Sequence, residues 1–308
     1  MRRPRFSRIP ESAAGPGGRR PGGASCGLLG GLPRARRSFL GAGAVYFVEK
    51  SGAQPYAAAG PPQEGVTMER QKGNPQKRNY QRELDKVIES LEREGRKPRL
   101  LLHSCCAPCS SYVLEYLSRY FAITLFYFNP NIYPPEEYRE RIGEQERLIR
   151  EMECAGALGI PVEFCSGRYE PEEFYRAVKG HEKDQEGGER CFICYELRLR
   201  RAAEAAKAGN FDYFTTTLSI SPLKNAGKLN DIGERLAAEY GVPYLLSDFK
   251  KKNGYKRSTE LSARYGLYRQ DYCGCVFSRE ARRAAAEDCK AEKAGPADCE
   301  KVDREVAD

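Results

Sequence analysis

The 308-residue chain has no apolar run long enough to cross a bilayer, and no stretch built like a secretory signal. A cytoplasmic protein without a membrane partner is therefore expected. Tryptophan is also missing, which excludes nothing. Acidic residues are scarce in the first part of the chain. Residues 1–67 hold ten Lys/Arg against three Asp/Glu, so +7 of the total +8 charge falls there and +1 remains for residues 68–308. The same stretch carries 13 of the 30 glycines and 8 of the 19 prolines. Such a composition buries too little apolar surface to offset the entropy of ordering, so residues 1–67 are expected to form a disordered extension. It is Arg-rich like some organelle transit peptides, but too rich in glycine and proline for an amphipathic helix. Met68 is the expected natural start, with the preceding stretch an upstream read-through.

No internal repeat is visible. From Pro98 onward short apolar runs alternate with amphipathic ones. Candidate strands are Arg99–His103, Ile123–Phe128, Val162–Cys165, Tyr213–Thr217 and Tyr244–Ser247. Helical patterns lie around Ser111–Arg119, Glu136–Gly156, Glu172–Val178, Tyr195–Ala208 and Asn225–Tyr240, the last closed by the stop signal Gly241-Val242-Pro243. This alternation predicts an α/β fold, a single doubly wound parallel-sheet domain over residues 98–282, with its site at the carboxyl ends of the strands. Residues 68–97 are expected to contribute a leading polar helix, Tyr80–Glu94. Residues 283–308 read as a polar tail that frays.

What the chain has in quantity is cysteine, twelve in all. Without a signal sequence, a disulfide framework is not expected, and metal or redox chemistry is the better reading. His103-Ser104-Cys105-Cys106-Ala107-Pro108-Cys109 follows the first strand directly, and Cys191-Phe192-Ile193-Cys194 opens a helix. Thiolates at such junctions gain from backbone amides and the helix dipole, which lower the cysteine pKa. Two such groups meeting over one crevice invite a soft metal, with Cys105, Cys106, Cys191 and Cys194 as the expected ligands. Four cysteinates suit structural zinc or an iron–sulfur cluster. The vicinal pair favours the cluster, because its two sulfurs diverge and chelate a single ion poorly. Cys154 and Cys165 read as ordinary buried thiols. Cys273-Gly274-Cys275 reads either as a strained, labile disulfide or as a pair of further metal ligands.

The stretches Leu102-His103-Ser104-Cys105-Cys106-Ala107-Pro108-Cys109, Phe128-Asn129-Pro130-Asn131-Ile132, Phe214-Thr215-Thr216-Thr217-Leu218 and Tyr268-Arg269-Gln270-Asp271-Tyr272-Cys273-Gly274-Cys275 resemble the QueH family of epoxyqueuosine reductases. The resemblance runs from about Pro98 to Arg282. It implies a fold similar to the ATP-pyrophosphatase (HUP-like) nucleotide-binding domains. It further implies the last step of queuosine synthesis, removal of the epoxide oxygen at the wobble position of tRNA. It implies a 4Fe-4S cluster at Cys105, Cys106, Cys191 and Cys194, and a catalytic, redox-active pair at Cys273 and Cys275. Cys109 either ligates an additional iron ion or packs beneath the loop. The turn after the first strand lacks the Ser-Gly-Gly-x-Asp-Ser phosphate loop of the ATP-using relatives, so no ATP is expected.

Expected partners are tRNA carrying epoxyqueuosine and an unidentified electron donor. Basic and stacking groups for RNA are sought in Lys250, Lys251, Lys252 and Arg257, and in Arg198, Arg200 and Arg201. Tyr127, Phe128 and Tyr133 are candidates for stacking on an extruded base, Asn129 and Asn131 for hydrogen bonds to substrate, and Asp271 or Tyr272 for donating a proton. Two other functions share these features: a zinc-stabilised RNA-binding module without catalysis, and an ATP-dependent tRNA-thiolating enzyme. The missing phosphate loop speaks against the second.

Overall fold

The structure is a computed structural model that describes residues 78–291, with side chains to residue 287. The expectations for residues 1–67 and for the far end of the tail lie outside the described residues. Four strands form the sheet: β1 (Arg99–Ser104), β2 (Ala122–Tyr127), β3 (Glu163–Ser166) and β4 (Tyr213–Thr216). Their order is β3-β2-β1-β4 and every pairing is parallel. β1 therefore has a neighbour on each side, Leu100 facing Ile123 in β2 and Tyr213 in β4. Helices cover both faces, as parallel sheets require. They are α1 (Tyr80–Glu94), α2 (Ala107–Leu117), α3 (Pro135–Cys154), α4 (Pro171–Ala177), α5 (Glu189–Ala208), α6 (Ala226–Tyr240), α7 (Gly254–Arg264) and α8 (Val276–Ala291).

Side-chain alternation along β1 splits the core in two. Leu100 and Leu102 pack with Leu84, Val113, Leu117, Leu148 and Met152 from α1, α2 and α3. Leu101 packs on the opposite face with Leu199, Ala203, Leu229 and Leu236 from α5 and α6. Each of these leucines is fully buried, at ~1.5–3 kcal/mol apiece in transfer free energy. α7 lies so close on α2 that a Cβ at Gly254 would meet the Phe249 carbonyl oxygen at 2.0 Å and Tyr112 at 2.6 Å. The stop at Gly241 is as expected: it takes φ +72° and donates its N–H to Ala237 O at 2.9 Å.

Three expectations need correction. The fifth strand, Tyr244–Ser247, is reduced to a single bridge between Tyr244 and Phe214. Its pairing ends because Ser247 is captured by α6: Asn230 donates to Ser247 O at 2.9 Å and accepts from Ser247 N at 3.0 Å. α8 continues through Arg282 to Ala291 rather than fraying there, and α7 had not been anticipated. Finally, α2 and α5 begin earlier than expected, at Ala107 and Glu189, which places Cys109 and Cys191 in helical first turns and Cys194 in the second turn of α5.

Candidate functional site

The site lies at the carboxyl ends of β1 and β4. β1 ends at Ser104, Cys105 follows, and Cys106 caps α2 in an extended conformation. This turn is braced from below. The hydroxyls of Ser104 and Ser110 lie 2.6 Å apart, and both reach Gln145 Oε1 of α3, at 2.9 and 2.8 Å. Asn129 donates to Ser104 O at 2.8 Å. His103 lies 3.0 Å from the Phe128 carbonyl through Nε2 and 2.9 Å from Thr216 Oγ1 through Nδ1. Because a carbonyl only accepts, Nε2 carries the proton and Nδ1 accepts from the threonine. Burial, reinforced by nearby Arg198, pushes the imidazole down to about 4, so it is neutral at ordinary pH.

The Sγ atoms of Cys105, Cys106 and Cys109 all lie within 4.8 Å of one another. Cys105 and Cys106 are 3.7 Å apart. Hydrogen bonds from Cys106 and Cys109 hold the Cys105 thiol well below its ordinary range. The same bonds, with burial, push Cys106 up to about 12 and raise Cys109 well above its usual value. Three thiols this close can share one negative charge and no more, unless a cation joins them.

Cys191 accepts a hydrogen bond from Gly187 N at 3.2 Å, and Cys194 is buried one turn further along α5. They are not part of the sulfur triad; they line a second, small cavity beside it together with Cys273 and Cys275. The triad lines the larger cavity, about 440 Å³, whose walls also carry Tyr255, Arg269 and Tyr272. The two cavities share Glu186, Arg198, Leu223, Lys224 and Cys273. The structure thus gathers all seven cysteines of the sequence reading around one wall, with Cys109 in the closest group.

The cysteine pair sits on the irregular segment before α8, and both residues are free thiols. Gly274 between them has φ +119°, and a Cβ there would approach Arg141 Nη1 to 3.0 Å and Ile132 Cγ1 to 3.2 Å. Only glycine fits that turn without strain. Its carbonyl accepts from Tyr133 N at 2.8 Å. Lys224 Nζ lies 3.2 Å from Cys273 Sγ, and Ser278 N donates to Cys275 Sγ at 3.4 Å.

Two guanidinium groups are nearly fully buried at the site. Arg141 is paired with Glu137 at 2.7 Å, Arg198 donates its Nε–H to Cys194 O at 3.1 Å, and each leaves Nη2 without a partner. Both line the larger cavity. Glu137 offsets Arg141, whereas Arg198 has no carboxylate partner among the described residues, and the nearby sulfurs are the groups able to supply its compensating charge. This surplus and the close sulfur triad fit a thiolate-bound soft metal, so a cysteine-held metal centre is consistent with the residues present.

Other expected residues are placed differently. Arg198 was assigned to an RNA-facing patch with Arg200 and Arg201; it is buried among the thiols instead, and the other two are paired with carboxylates, Arg200 with Glu196 and Glu239, Arg201 with Glu173 and Glu204. Cys154 is exposed, not buried, at the end of α3. Tyr127 and Phe128 are core residues, whereas Tyr133 is exposed. Asn131 lines the small cavity with Oδ1 unpartnered, while Asn129 lines neither cavity. Lys250 turns inward to Ser219 O and Asp248, at 3.1 and 3.2 Å, Lys252 is paired with Asp85, and Arg257 with Glu115 and Glu260. Lys251 is exposed. Tyr272 donates its hydroxyl to Tyr133 O at 2.8 Å, and Asp271 is exposed near Arg282.

Arg141, Arg198 and Lys224 were missed as site residues. Arg198 follows Cys194 by four residues on α5 and so shares its face, and Lys224 follows β4 by a short turn. Arg141 stands with Gln145 in the inward stripe Tyr138, Leu148, Met152 of α3.

A family model described as epoxyqueuosine reductase QueH matches residues 100–281. A curated epoxyqueuosine reductase QueH of Staphylococcus epidermidis is 44% identical over 205 residues, which cover 66% of this chain and 85% of that protein. One of Streptococcus pyogenes serotype M1 is 43% identical over 203 residues, 66% of this chain and 79% of its own length. One of Thermotoga maritima is 35% identical over 190 residues, 60% and 92% respectively.

Proposed function

Because the chain belongs to the epoxyqueuosine reductase QueH family, we propose that it is an oxidoreductase that reduces epoxyqueuosine to queuosine in tRNA, using a cysteine-held metal centre and a separate dithiol. The observation that supports the two-part reading is the shared wall: Cys273 faces both the cavity of the sulfur triad and that of Cys191 and Cys194. The metal centre is read as a 4Fe-4S cluster held by Cys105, Cys106, Cys191 and Cys194, with Cys109 available for a further iron. When bound, such a centre supplies single-electron transfer and a Lewis-acidic pull on oxygen.

The remaining work falls to the chain. Removing an epoxide oxygen as water takes two electrons and two protons. A dithiol becoming a disulfide releases two of each, so Cys273 and Cys275 balance the reaction once per turnover and an external donor restores them. The cavity of about 440 Å³ is sized for an extruded nucleobase and its ring substituent. Tyr255 and Tyr272 on its wall offer apolar faces, and Arg269, over the Tyr255 ring at 6.0 Å, offers charge toward the phosphates. Exposed Lys251 is a further candidate for backbone contact, with Lys250, Lys252 and Arg257 bracing the same segment. Arg141 and Arg198, with free donor atoms, stabilise negative charge developing in the cavity. A cytoplasmic setting goes with a tRNA substrate; among the described residues no helix is long and apolar enough to cross a membrane.

The test is mass analysis of epoxyqueuosine-containing tRNA incubated with anaerobically purified protein and a strong reductant. Loss of one oxygen from the modified nucleoside is the expected result. A brown preparation with iron and sulfide supports the cluster, whereas a colourless, zinc-loaded and inactive one would favour an RNA-binding module.

A further inference from the structure

The wall between the two cavities carries a cation that the reaction scheme above does not use. Lys224 ends the turn Ser221–Lys224, which its own N–H closes onto Ser221 O at 3.2 Å. The turn is anchored a second time by Lys250, whose ammonium donates to Ser219 O at 3.1 Å and to Lys224 O at 3.4 Å. From this fixed backbone the Lys224 side chain reaches Cys273, with Nζ 3.2 Å from Sγ. No carboxylate is paired with Lys224 among the described residues. The charged and titratable groups around it are Cys273, Tyr195, Cys105 and Arg198, with exposed Glu186 on the same wall. Burial works against its charge, but the Cys273, Tyr195 and Cys105 side chains outweigh that effect and keep it protonated. Cys275 has a different environment: its sulfur lies against Ser278 N and Oγ, and burial raises its thiol above the ordinary value.

We propose that Lys224 is the positioning residue of the dithiol: it donates a charge-assisted hydrogen bond to the reduced Cys273 sulfur, which fixes that sulfur on the shared wall and stabilises the reduced form of the Cys273–Cys275 pair. This rests on the dithiol reading above. The half-reaction is the Cys273–Cys275 dithiol giving the disulfide, two electrons and two protons, which pass to the substrate or, in a test, to glutathione disulfide. A donor that the reduced sulfur accepts well and a disulfide sulfur accepts poorly favours the reduced state, so the pair is easier to reduce and re-reduction by the external donor is assisted. The difference between the two cysteines follows: one has a cation beside it, the other a hydroxyl and an amide.

The experiment equilibrates the full chain with glutathione buffers of graded ratio, quenches with N-ethylmaleimide, and measures the Cys273 and Cys275 peptides by mass spectrometry. Wild type is compared with Lys224→Met, Lys224→Gln and Lys224→Arg, each checked for native circular dichroism. Removing one charge-assisted hydrogen bond should shift the equilibrium constant toward disulfide by about tenfold in Lys224→Met and Lys224→Gln, with Lys224→Arg close to wild type. Equal midpoints in all four proteins would overturn the proposal and leave the dithiol reading intact. An arginine variant that shifts as far as the neutral ones would also overturn it, since charge would then not be the cause. If wild type forms no Cys273–Cys275 disulfide at any ratio, the dithiol reading itself fails, and this inference with it. The two neutral variants differ in polarity, so at least one is expected to keep the fold and report the shift.

Discussion

The two thiol-bearing segments of the site are held in contrasting ways. Cys105, Cys106 and Cys109 sit on a strand-to-helix turn whose polar groups are tied to the core through Ser104, Ser110, Gln145, Asn129 and His103. Cys273 and Cys275 sit on an irregular segment held by the backbone bonds of Tyr133 to Gly274 and of Arg279 to Cys275, by the Tyr272 hydroxyl on Tyr133 O, and by Lys224 and Ser278. A metal site gains from rigid, preset ligands, because each degree of freedom lost on binding weakens affinity. The ties differ in kind: the triad is anchored to the strand–helix core through buried side chains, whereas the Cys273–Cys275 segment is anchored to neighbouring loops and to the start of α8.

This contrast can be broken from either side. The largest effect is expected from Cys106→Ser, which removes the middle of the triad; iron content by metal analysis and queuosine formation by nucleoside mass spectrometry should both fall to background. Gly274→Ala acts on the other segment. Its φ of +119° and its contact with Arg141 should cost turnover about 100-fold by displacing the pair, with iron content unchanged. Loss of iron in that variant would mean the two segments are not separable. Gln145→Ala leaves the buried hydroxyls of Ser104 and Ser110 without their shared acceptor, and should lower stability in urea unfolding by about 2 kcal/mol.

Removing metal by chelation should leave far-ultraviolet circular dichroism unchanged, because the two cores flanking the sheet are complete without it. The smallest effect concerns a cysteine outside both segments. Burial pushes the Cys165 thiol up to about 11, and alkylation requires the thiolate. Its labelling in native protein should therefore be negligible at pH 7 and rise about tenfold per pH unit toward 11, whereas exposed Cys154 labels first.

Much of this was legible in the residues themselves. The short apolar runs rich in aromatic, leucine and β-branched residues located all four strands, and the turn after the first of them marked the crevice. Tyr244–Ser247 misled because its composition suits a strand, while its hydrogen bonds go to the Asn230 side chain, a long-range choice that no local pattern carries. α7 was missed because its interior, Gly254–Arg264, is polar on most faces and is helical through contact with α2. At the site, the cysteines announced themselves by clustering. Arg198 did not, because an arginine among Arg200 and Arg201 reads as solvated surface until the helix face is known. The basic run Lys250–Arg257 was read as free charge, yet most of it neutralises Asp85, Glu115, Asp248 and Glu260.

The strand order β3-β2-β1-β4 also governs when the centre can come into being. A ribosome releases Cys105, Cys106 and Cys109 early, but β4, which covers the open edge of β1, is made about 110 residues later and the dithiol roughly 170 residues later. At ~5–20 residues per second the triad therefore waits many seconds, exposed and unshielded, for its wall to be synthesised. A metal held by these cysteines would therefore have to be delivered to the finished domain, whose larger cavity is bordered by exposed Leu223.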